Sequence, residues 1–527
     1  MALILTVPAL EDQPLITAET RPQKISQFIS GLTATNSLDA AHAVLEEMQI
    51  LNRQKVAADT RVKALEIYRL AIIDIADILI SHYSNTSLPL PQSAKDHAAA
   101  AEALWLELGY GYKLALIDQQ NKLFSLGSSR STALALQRAI EALSRLAMVY
   151  YQTYFTPPPS LWSDLHQLYL YAVQQSLQDI QIELNGNSKK TTSITLTYKQ
   201  ILLMSLADPQ HLAPADIQLV ANYIAHHAQR SHLQDLGVLE NPAGIFLIRL
   251  DSDKPPIPYV KNAEETDGSS DILLITVDLA RLVHKHLLML QAGDAPKNSG
   301  LPSNASDPRY EDMLAYLLKH WGVSPKRIYN RSRKTDNVDL GIGFAAAHYF
   351  ISGAKHYAQP QQASESSTLP AENKPAAKPQ NFKPTRWQVL NISAGGMALR
   401  KLPNMDCEIR VGELLSVKTA TASHWSVGAL RWASHDDKKQ LSVGAQLIAP
   451  SAQAIGLRLP NQPVFGPALM LPEQPRIKQA QSIIASSGTY GPARILELHE
   501  DDKIVRIMLV RLVERTASFE HFHFSRI

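Results

Sequence analysis

The chain has 527 residues, of which 45% are hydrophobic and 19% are charged, and its formal net charge is +2. This composition is typical of a folded protein with several domains. The nearly balanced charge excludes a bulk attraction to a nucleic-acid polymer or an anionic membrane. The single cysteine, Cys407, excludes a disulfide framework and a thiolate zinc site, which favours a reducing, cytoplasmic location. There is no basic leader and no apolar run of about 18 residues, so neither a signal peptide nor membrane insertion is predicted.

Helical periodicity runs from about Asn36 to Gln178, and we predict an α-helical domain over residues 1–185. Apolar residues recur every three or four positions from Asn36 to Arg53, with Asn36 or Ser37 as the N-cap. Asp59 is predicted to cap the next helix, which is apolar nearly all round and should pack on several sides. Further helices are predicted at Ala98–Gln119, Ser131–Tyr154 and Pro159–Gln178.

Residues 186–322 are predicted to form a second domain that mixes helices and strands. The stretch GIFLIRLDSDKPPIPYVK has two apolar runs around a polar, proline-containing turn, which is typical of a hairpin. The stretch DILLITVDLARLVHKHLLMLQAG begins with strand periodicity and ends with helical periodicity. Other helices are predicted near Tyr198–Ala207, Ala213–His227 and Arg309–Gly322.

The pattern changes after Gly322, and residues 323–460 are predicted to form a small antiparallel barrel. Alternation from Val338 to His348 predicts one strand. A low-complexity loop at residues 356–386, rich in Pro, Ala, Gln and Ser, follows it. Four more strands are predicted in RWQVLNIS, GELLSVKT, HWSVGALRW and QLSVGAQLI, and the last two should form a hairpin.

The remaining residues, 461–527, are predicted to be a β-rich C-terminal extension with a hairpin around LHEDDKIV. The predicted fold class is therefore α+β and multidomain. An α-helical N-terminal half is followed by a small antiparallel β-barrel and this β-rich unit.

An arginine-rich segment, KRIYNRSRK at Lys326–Lys334, stands just before the predicted barrel. It carries Arg327, Arg331 and Arg333. Arginine offers a planar fork of donors that fits phosphate and a flat face that stacks on nucleobases. Taken alone, the segment is also consistent with a solvated basic linker.

A second motif, NISAGG, interrupts a strand-like run at Asn391–Gly396. Asn391 and Ser393 are two residues apart, so a strand directs both side chains to the same face. Gly395 and Gly396 permit a tight turn or a close approach of another group to the backbone. The motif is thus either a polar strand end with a turn or a seat for a ligand.

Together the two motifs resemble the PilZ family of bacterial cyclic-di-GMP receptors. Its signature is Arg-x-x-x-Arg ahead of a barrel and Asp/Asn-x-Ser-x-x-Gly on an early strand pair, which RIYNR and NISAGG match. The later stretches WSVGALRWAS and LSVGAQLI are also similar to the family's strands. The resemblance covers about Lys326–Pro460.

The resemblance implies a role for each residue. Arg327 and Arg331 would bind phosphate and the guanine Hoogsteen edge and stack on a base. Asn391 would bond to a guanine edge and Ser393 would donate to phosphate, while Gly395 and Gly396 would leave room for the ligand.

Two features depart from the family pattern. Arg331 and Asn391 lie 60 positions apart, and the low-complexity loop accounts for the excess. Such an insertion is tolerable because loop-closure entropy grows only logarithmically with length. The extra Arg333 means that either Arg327 with Arg331 or Arg331 with Arg333 is the working pair; the spacing favours the first pair.

Other candidate chemistry is weaker. His284 and His286 would face apart on a helix, and His521 and His523 have no evident third ligand, so no metal site is predicted. No phosphate-binding loop, dinucleotide fingerprint or nucleophile elbow is found, so no enzymatic activity is predicted. The resemblance implies a receptor with cyclic-di-GMP as ligand and no cofactor. The helical half is predicted to carry the signal to a protein partner. The alternatives are a PilZ-like interaction scaffold that has lost its ligand, and an enzyme with an unrecognised site in the helical half.

Overall fold

The computed structural model describes residues 3–32, 36–121, 129–184, 190–236, 242–260, 271–322, 332–357, 359, 381–403, 405–436, 440–475, 479–500 and 503–527. The chain divides into two compact units. One contains Met1–Thr86 and Leu90–Lys326, and the other contains Ser87–Pro89 and Arg327–Ile527. The four-domain division derived from the sequence stays a prediction beside these two units.

The described part of the first unit is mainly helical, as the sequence predicts. Helices α3, α4 and α5 pack against one another, and α7 packs on α5. The helices are α1 (Pro22–Gly31), α2 (Ser37–Asn52), α3 (Ala58–Tyr83), α4 (Gln92–Asn121), α5 (Ser129–Thr153), α6 (Leu161–Gln174), α7 (Ile194–Leu206), α8 (Pro214–His227), α9 (Val277–Gln291) and α10 (Pro308–Gly322). Among the described residues, no helix is long and apolar enough to cross a membrane.

The helix starts show which predicted caps form. The Asn36 side chain accepts hydrogen bonds from the backbone N–H groups of Leu38 and Asp39, at 3.0 and 2.9 Å, so the predicted cap of α2 is confirmed. The predicted cap at Asp59 is wrong, because Asp59 lies inside the first turn of α3. The backbone N–H of Ala58 instead donates to Asp118 Oδ2, at 2.9 Å, so a carboxylate distant in sequence takes the capping role.

A small antiparallel sheet completes the first unit. Its strand order is β3-β6-β4-β5, and β4 pairs with β5 as the predicted hairpin. The predicted change from strand to helix is also confirmed, since β6 leads directly into α9. The strands of the first unit are β1 (Ile182–Glu183), β2 (Thr191–Thr192), β3 (His232–Asp235), β4 (Ile245–Arg249), β5 (Ile257–Pro258) and β6 (Asp271–Ile275).

A buried histidine, His166, links α6 to α7 and to the β4–β5 connection. Its Nδ1 lies 2.6 Å from the Tyr198 hydroxyl and its Nε2 lies 2.8 Å from the carbonyl oxygen of Lys254. A carbonyl oxygen only accepts, so Nε2 carries the proton and Nδ1 accepts from the tyrosine in the neutral ring. Burial lowers the pKa of His166 from 6.5 to about 4.

We expect His166 to make the first unit sensitive to acid. The unfolded chain binds a proton below the ordinary pKa of 6.5, whereas the folded ring stays neutral down to about 4. The contribution of His166 to the free energy of unfolding is therefore complete above pH 6.5 and is lost as the pH falls from there towards 4. At about pH 5 the loss should be about 2 kcal/mol.

Urea unfolding followed by far-UV circular dichroism at neutral pH and at about pH 5 measures this loss. His166→Gln should remove about 2 kcal/mol of the pH dependence between neutral pH and about pH 5. It should leave the part due to His227, whose pKa burial also lowers to about 4. His42→Gln, at an exposed position on α2, should leave the pH dependence unchanged. An unchanged pH dependence in His166→Gln would contradict the assignment.

The second unit contains a closed barrel in which β9 pairs with β10 and β8 and the ring runs β9-β10-β13-β12-β11-β8. Strand β7 also pairs with β9 but is not one of the six strands of the ring. The predicted hairpin between the two SVGA stretches is confirmed as β12–β13. The strands are β7 (Ser332–Arg333), β8 (Asn337–Ile342), β9 (Thr385–Ser393), β10 (Gly396–Lys401), β11 (Leu414–Thr419), β12 (Ser426–His435) and β13 (Leu441–Ala449).

One predicted strand is only half correct. The alternation from Val338 to His348 forms β8 as far as Ile342, and helix α11 (Phe344–Ile351) follows. Gly343, at φ 87°, makes the change of direction. Phe344, Ala347 and Ile351 are spaced for one helical face, and tertiary packing of that face decides against the strand.

A second closed barrel follows, with strand order β14-β15-β16-β19-β18-β17 and all pairs antiparallel. The predicted hairpin around LHEDDKIV is confirmed as β17–β18. The first strand of this second barrel begins at Gln453, ahead of the predicted extension at 461–527. The strands are β14 (Gln453–Arg458), β15 (Gly466–Leu471), β16 (Ser482–Ser486), β17 (Ile495–Glu500), β18 (Lys503–Arg515) and β19 (Phe519–Arg526).

The two barrels share a hydrophobic core, because apolar side chains of each pack together with α11. The first barrel contributes Leu414, Val427, Ala429 and Ala449, and the second contributes Leu469, Leu471, Ile484 and Phe519. These side chains are buried almost completely. The inside of the second barrel is a separate cluster that includes Ile483, Leu498 and Phe522.

The ends of the predicted loop at 356–386 are held in place. The rings of His356 and Phe382 both lie against Tyr349 of α11, with centroids 5.0 and 5.4 Å away. Gln359 makes two hydrogen bonds with the backbone of Phe465, at 2.7 and 2.9 Å. Residues 358 and 360–380 lie outside the described residues. The anchored ends allow β8 and β9 to pair although a long insertion separates them in sequence.

Candidate ligand-binding site

The NISAGG motif forms the hairpin between β9 and β10. Ser393 is the last residue of β9 and pairs with Gly396, the first residue of β10, so Ala394 and Gly395 form a two-residue turn. The Ser393 hydroxyl lies 3.3 Å from the carbonyl oxygen of Gly396. The interruption of the strand in NISAGG is thus the turn of this hairpin.

The register of β7 brings an arginine to this hairpin. Arg333 lies directly opposite Asn391, and Ser332 lies opposite Ile392. Residues directly opposite each other in an antiparallel pair direct their side chains to one face of the sheet. Asn391 and Ser393 share that face because they are two residues apart. Arg333 is exposed and Asn391 and Ser393 are half-buried, so this face is open to solvent.

The other two predicted arginines, Arg327 and Arg331, lie outside the described residues. The connection from the end of α10 to the start of β7 carries both. Arg331 directly precedes Ser332 in the chain. Which pair of arginines works together stays a prediction, although Arg333 is the member of the set that the described structure brings to Asn391.

Gly396 is required by the packing of the sheet. A Cβ at this position would lie 2.3 Å from the carbonyl oxygen of Ala445 and 3.0 Å from the Cα of Gln446, both on β13. The carbonyl oxygen of Gly395 also accepts from the backbone N–H of Leu447, at 3.1 Å. The hairpin is therefore fixed to β13 through backbone contacts.

The same face continues from the hairpin onto β13 and β12. Gln446 lies opposite Gly396, which in turn lies opposite Ser393, so the three residues form one row across the sheet. Arg431 of β12 donates from Nε to Gln446 Oε1, at 2.6 Å. Its two terminal nitrogens donate to the carboxylate of Glu514 on β18, with Nη2–Oε2 at 2.8 Å.

The sequence gives no signal for this second group of residues. Gln446 is one polar residue at an exposed strand position, and Arg431 and Glu514 lie 83 positions apart. Only the pairing of β12 with β13 and the contact between the barrels bring the three side chains together.

At least one histidine of each pair considered in the sequence as a metal ligand has a hydrogen-bonding partner within the protein. His286 Nδ1 lies 3.0 Å from the Tyr223 hydroxyl, and His521 Nε2 lies 2.8 Å from the Ser482 hydroxyl. Burial lowers the pKa of His521 to about 4, so its ring is neutral near pH 7. Within the described parts of the chain, no group of three or more His, Cys, Asp or Glu residues is arranged to hold a metal ion.

A six-stranded barrel that pairs an arginine-bearing strand with an Asn-x-Ser-x-x-Gly hairpin defines a protein of the PilZ class. Three family models match the chain. They describe the N-terminal domain of the cyclic-di-GMP receptor FimW at residues 23–238, its middle PilZ domain at residues 245–380 and 357–454, and the FimW C-terminal β-barrel domain at residues 452–527.

A curated relative agrees with these models. The chain is 24% identical to the cyclic-di-GMP receptor FimW of Pseudomonas aeruginosa over 577 aligned residues, which cover 99% of this chain and 93% of the relative. The chain belongs to this family of cyclic-di-GMP receptors with a middle PilZ domain. The resemblance derived from the two motifs is confirmed.

We expect Gly396→Ala to destabilise the first barrel by about 1–3 kcal/mol, because the new methyl group overlaps the backbone of β13. Urea unfolding measures the change. Gly466→Ala is the matched control, since Gly466 is also the first residue of a strand and the nearest atom to its new Cβ is 3.7 Å away. If both variants are as stable as the wild type, the close approach of β13 is not a constraint.

Proposed function

We propose that this chain binds cyclic-di-GMP on the outer face of its first barrel and passes the occupancy of that site to a protein partner. The observation that carries the proposal is the pairing of Arg333 with Asn391. It places a guanidinium, an amide and the Ser393 hydroxyl on one open face, and those groups suit a ligand with two phosphates and two guanines.

The three arginines would supply the charge-assisted contacts. Arg333 reaches the site from β7, and Arg327 and Arg331 precede it in the same segment. A guanidinium can bond to phosphate in a bidentate manner and can also bond to guanine N7 and O6. Asn391 would bond to a guanine edge, and Ser393 would donate to a phosphate oxygen.

The glycines have a double role in this proposal. Gly396 allows β13 to approach the hairpin closely, and Gly395 accepts a hydrogen bond from β13. Both contacts hold Ser393 at a fixed position before the ligand arrives. A preorganised site loses less conformational entropy on binding.

The relay to a partner rests on the position of the arginine segment. It joins α10 of the helical unit to β7 of the barrel unit, and the division between the two units falls at Lys326 and Arg327. A ligand held by both the segment and β9 favours conformations in which the two are together. We propose that the helical half presents this change to a cytoplasmic protein partner, and that the chain acts by binding and not by catalysis.

Isothermal titration calorimetry with cyclic-di-GMP tests the proposal. We expect binding in the micromolar range or tighter, and much weaker binding of GMP. Arg327→Ala, Arg331→Ala and Arg333→Ala should each weaken binding about 10- to 100-fold, since a hydrogen bond to a charged group contributes roughly 1.5–3 kcal/mol. Asn391→Ala should also weaken binding.

Arg386→Ala is a matched control for these arginines. Arg386 also lies on β9, seven positions before Ser393. Its guanidinium is paired with the Asp339 carboxylate at 3.0 Å. Its loss should leave affinity unchanged. A wild-type protein that gives no heat at high ligand concentration would favour the scaffold alternative.

Hydrogen exchange tests the relay. Cyclic-di-GMP should protect residues 326–334 and α10, because the ligand ties the segment to β9. Strand β16 of the second barrel is the internal reference and should show no change. If the ligand binds and exchange in residues 309–334 is unchanged, occupancy is not passed through this segment.

A further inference from the structure

The face of the sheet that carries Asn391 and Ser393 extends beyond the known motif. Ser393, Gly396 and Gln446 lie opposite one another on β9, β10 and β13. Two strand spacings separate Ser393 from Gln446, which is about 10 Å. A cyclic dinucleotide bound at Ser393 is long enough to reach an exposed side chain at this distance.

The Gln446 amide is held in one orientation. Its Oε1 accepts from Arg431 Nε at 2.6 Å, and arginine only donates, so the amide NH₂ is the end left to point away from Arg431. Gly396 has no side chain to stand between Gln446 and Ser393. The row therefore presents an N–H donor beside the seat of the ligand.

The second barrel fixes this arrangement. The Glu514 carboxylate accepts from both terminal nitrogens of Arg431, and each side chain of the pair is 26% exposed. A two-point, partly buried contact of this kind restricts the rotation of the guanidinium. Ala429, which lies opposite Gln446 on β12, is buried in the core that joins the two barrels. Gln446 thus stands at the edge of a rigid junction.

We propose that Gln446 is a further ligand-binding residue, which donates from its amide to the ligand; this proposal rests on the proposed cyclic-di-GMP site. Arg431 and Glu514 are positioning residues that hold it. The C-terminal barrel then has a defined role: it supplies Glu514 and completes the ligand site of the first barrel.

Calorimetry with cyclic-di-GMP on the full chain tests this proposal. Gln446→Ala should weaken binding about 3- to 10-fold, the effect of one hydrogen bond. Glu514→Gln should weaken binding by a smaller factor, because Arg431 loses its charged partner and the amide loses its fixed orientation. The double variant should bind about as weakly as Gln446→Ala alone, since Glu514 acts through Gln446.

A matched control lies in the same barrel. Arg458 and Glu497 form an ion pair at 2.8 Å whose side chains are 11% and 12% exposed, and it joins β14 to β17 within the second barrel. Glu497→Gln removes the same charge from the same barrel and should leave affinity unchanged. Equal loss in Glu497→Gln and Glu514→Gln would mean that both act through the stability of the barrel, which overturns the proposal.

The remaining outcomes are also decisive. If the wild type binds, Asn391→Ala weakens binding, and Gln446→Ala and Glu514→Gln bind within twofold of the wild type, the inference about Gln446 is overturned and the proposed function stands. If the losses of the two single variants multiply in the double variant, Glu514 does not act through Gln446. A wild type that does not bind cyclic-di-GMP overturns both proposals.

Discussion

The backbone pairing of β9 is the constraint on which the candidate site depends. This strand pairs with β7, β8 and β10, so it closes the first barrel and also receives the end of the arginine segment. A shift of one residue would turn every side chain to the opposite face. The register Arg333–Asn391 therefore determines whether the guanidinium and the amide stand on the same side.

The junction between the two barrels is the second constraint. Small side chains such as Ala429 and Ala449 allow Leu469, Ile484 and Phe519 to pack closely against the first barrel. Burial of this apolar surface stabilises both barrels as one compact unit. The Arg431–Glu514 ion pair lies at the edge of this core, where partial burial makes it less sensitive to screening by salt than an exposed pair.

The helical unit has a different physical character. Its interior contains charged groups that are paired, such as Lys113 with Asp164 at 2.7 Å. Burial lowers the pKa of Lys113 and raises the pKa of Asp164, so both charges are costly and each depends on the other. Such a buried pair adds little net stability and fixes the geometry of α4 against α6.

The sequence by itself determined the helical half, most strands of the first barrel, one hairpin of the second barrel and the two motifs, because periodicity and turn chemistry are local properties. It did not determine that the run after Gly343 is a helix, since Phe344, Ala347 and Ile351 fit either element until they meet the inter-barrel core. The pairing of Arg333 with Asn391 and the row that ends at Gln446 were also decided only by the tertiary structure. Each joins residues far apart in sequence through strand register, and register follows from the closure of the whole barrel.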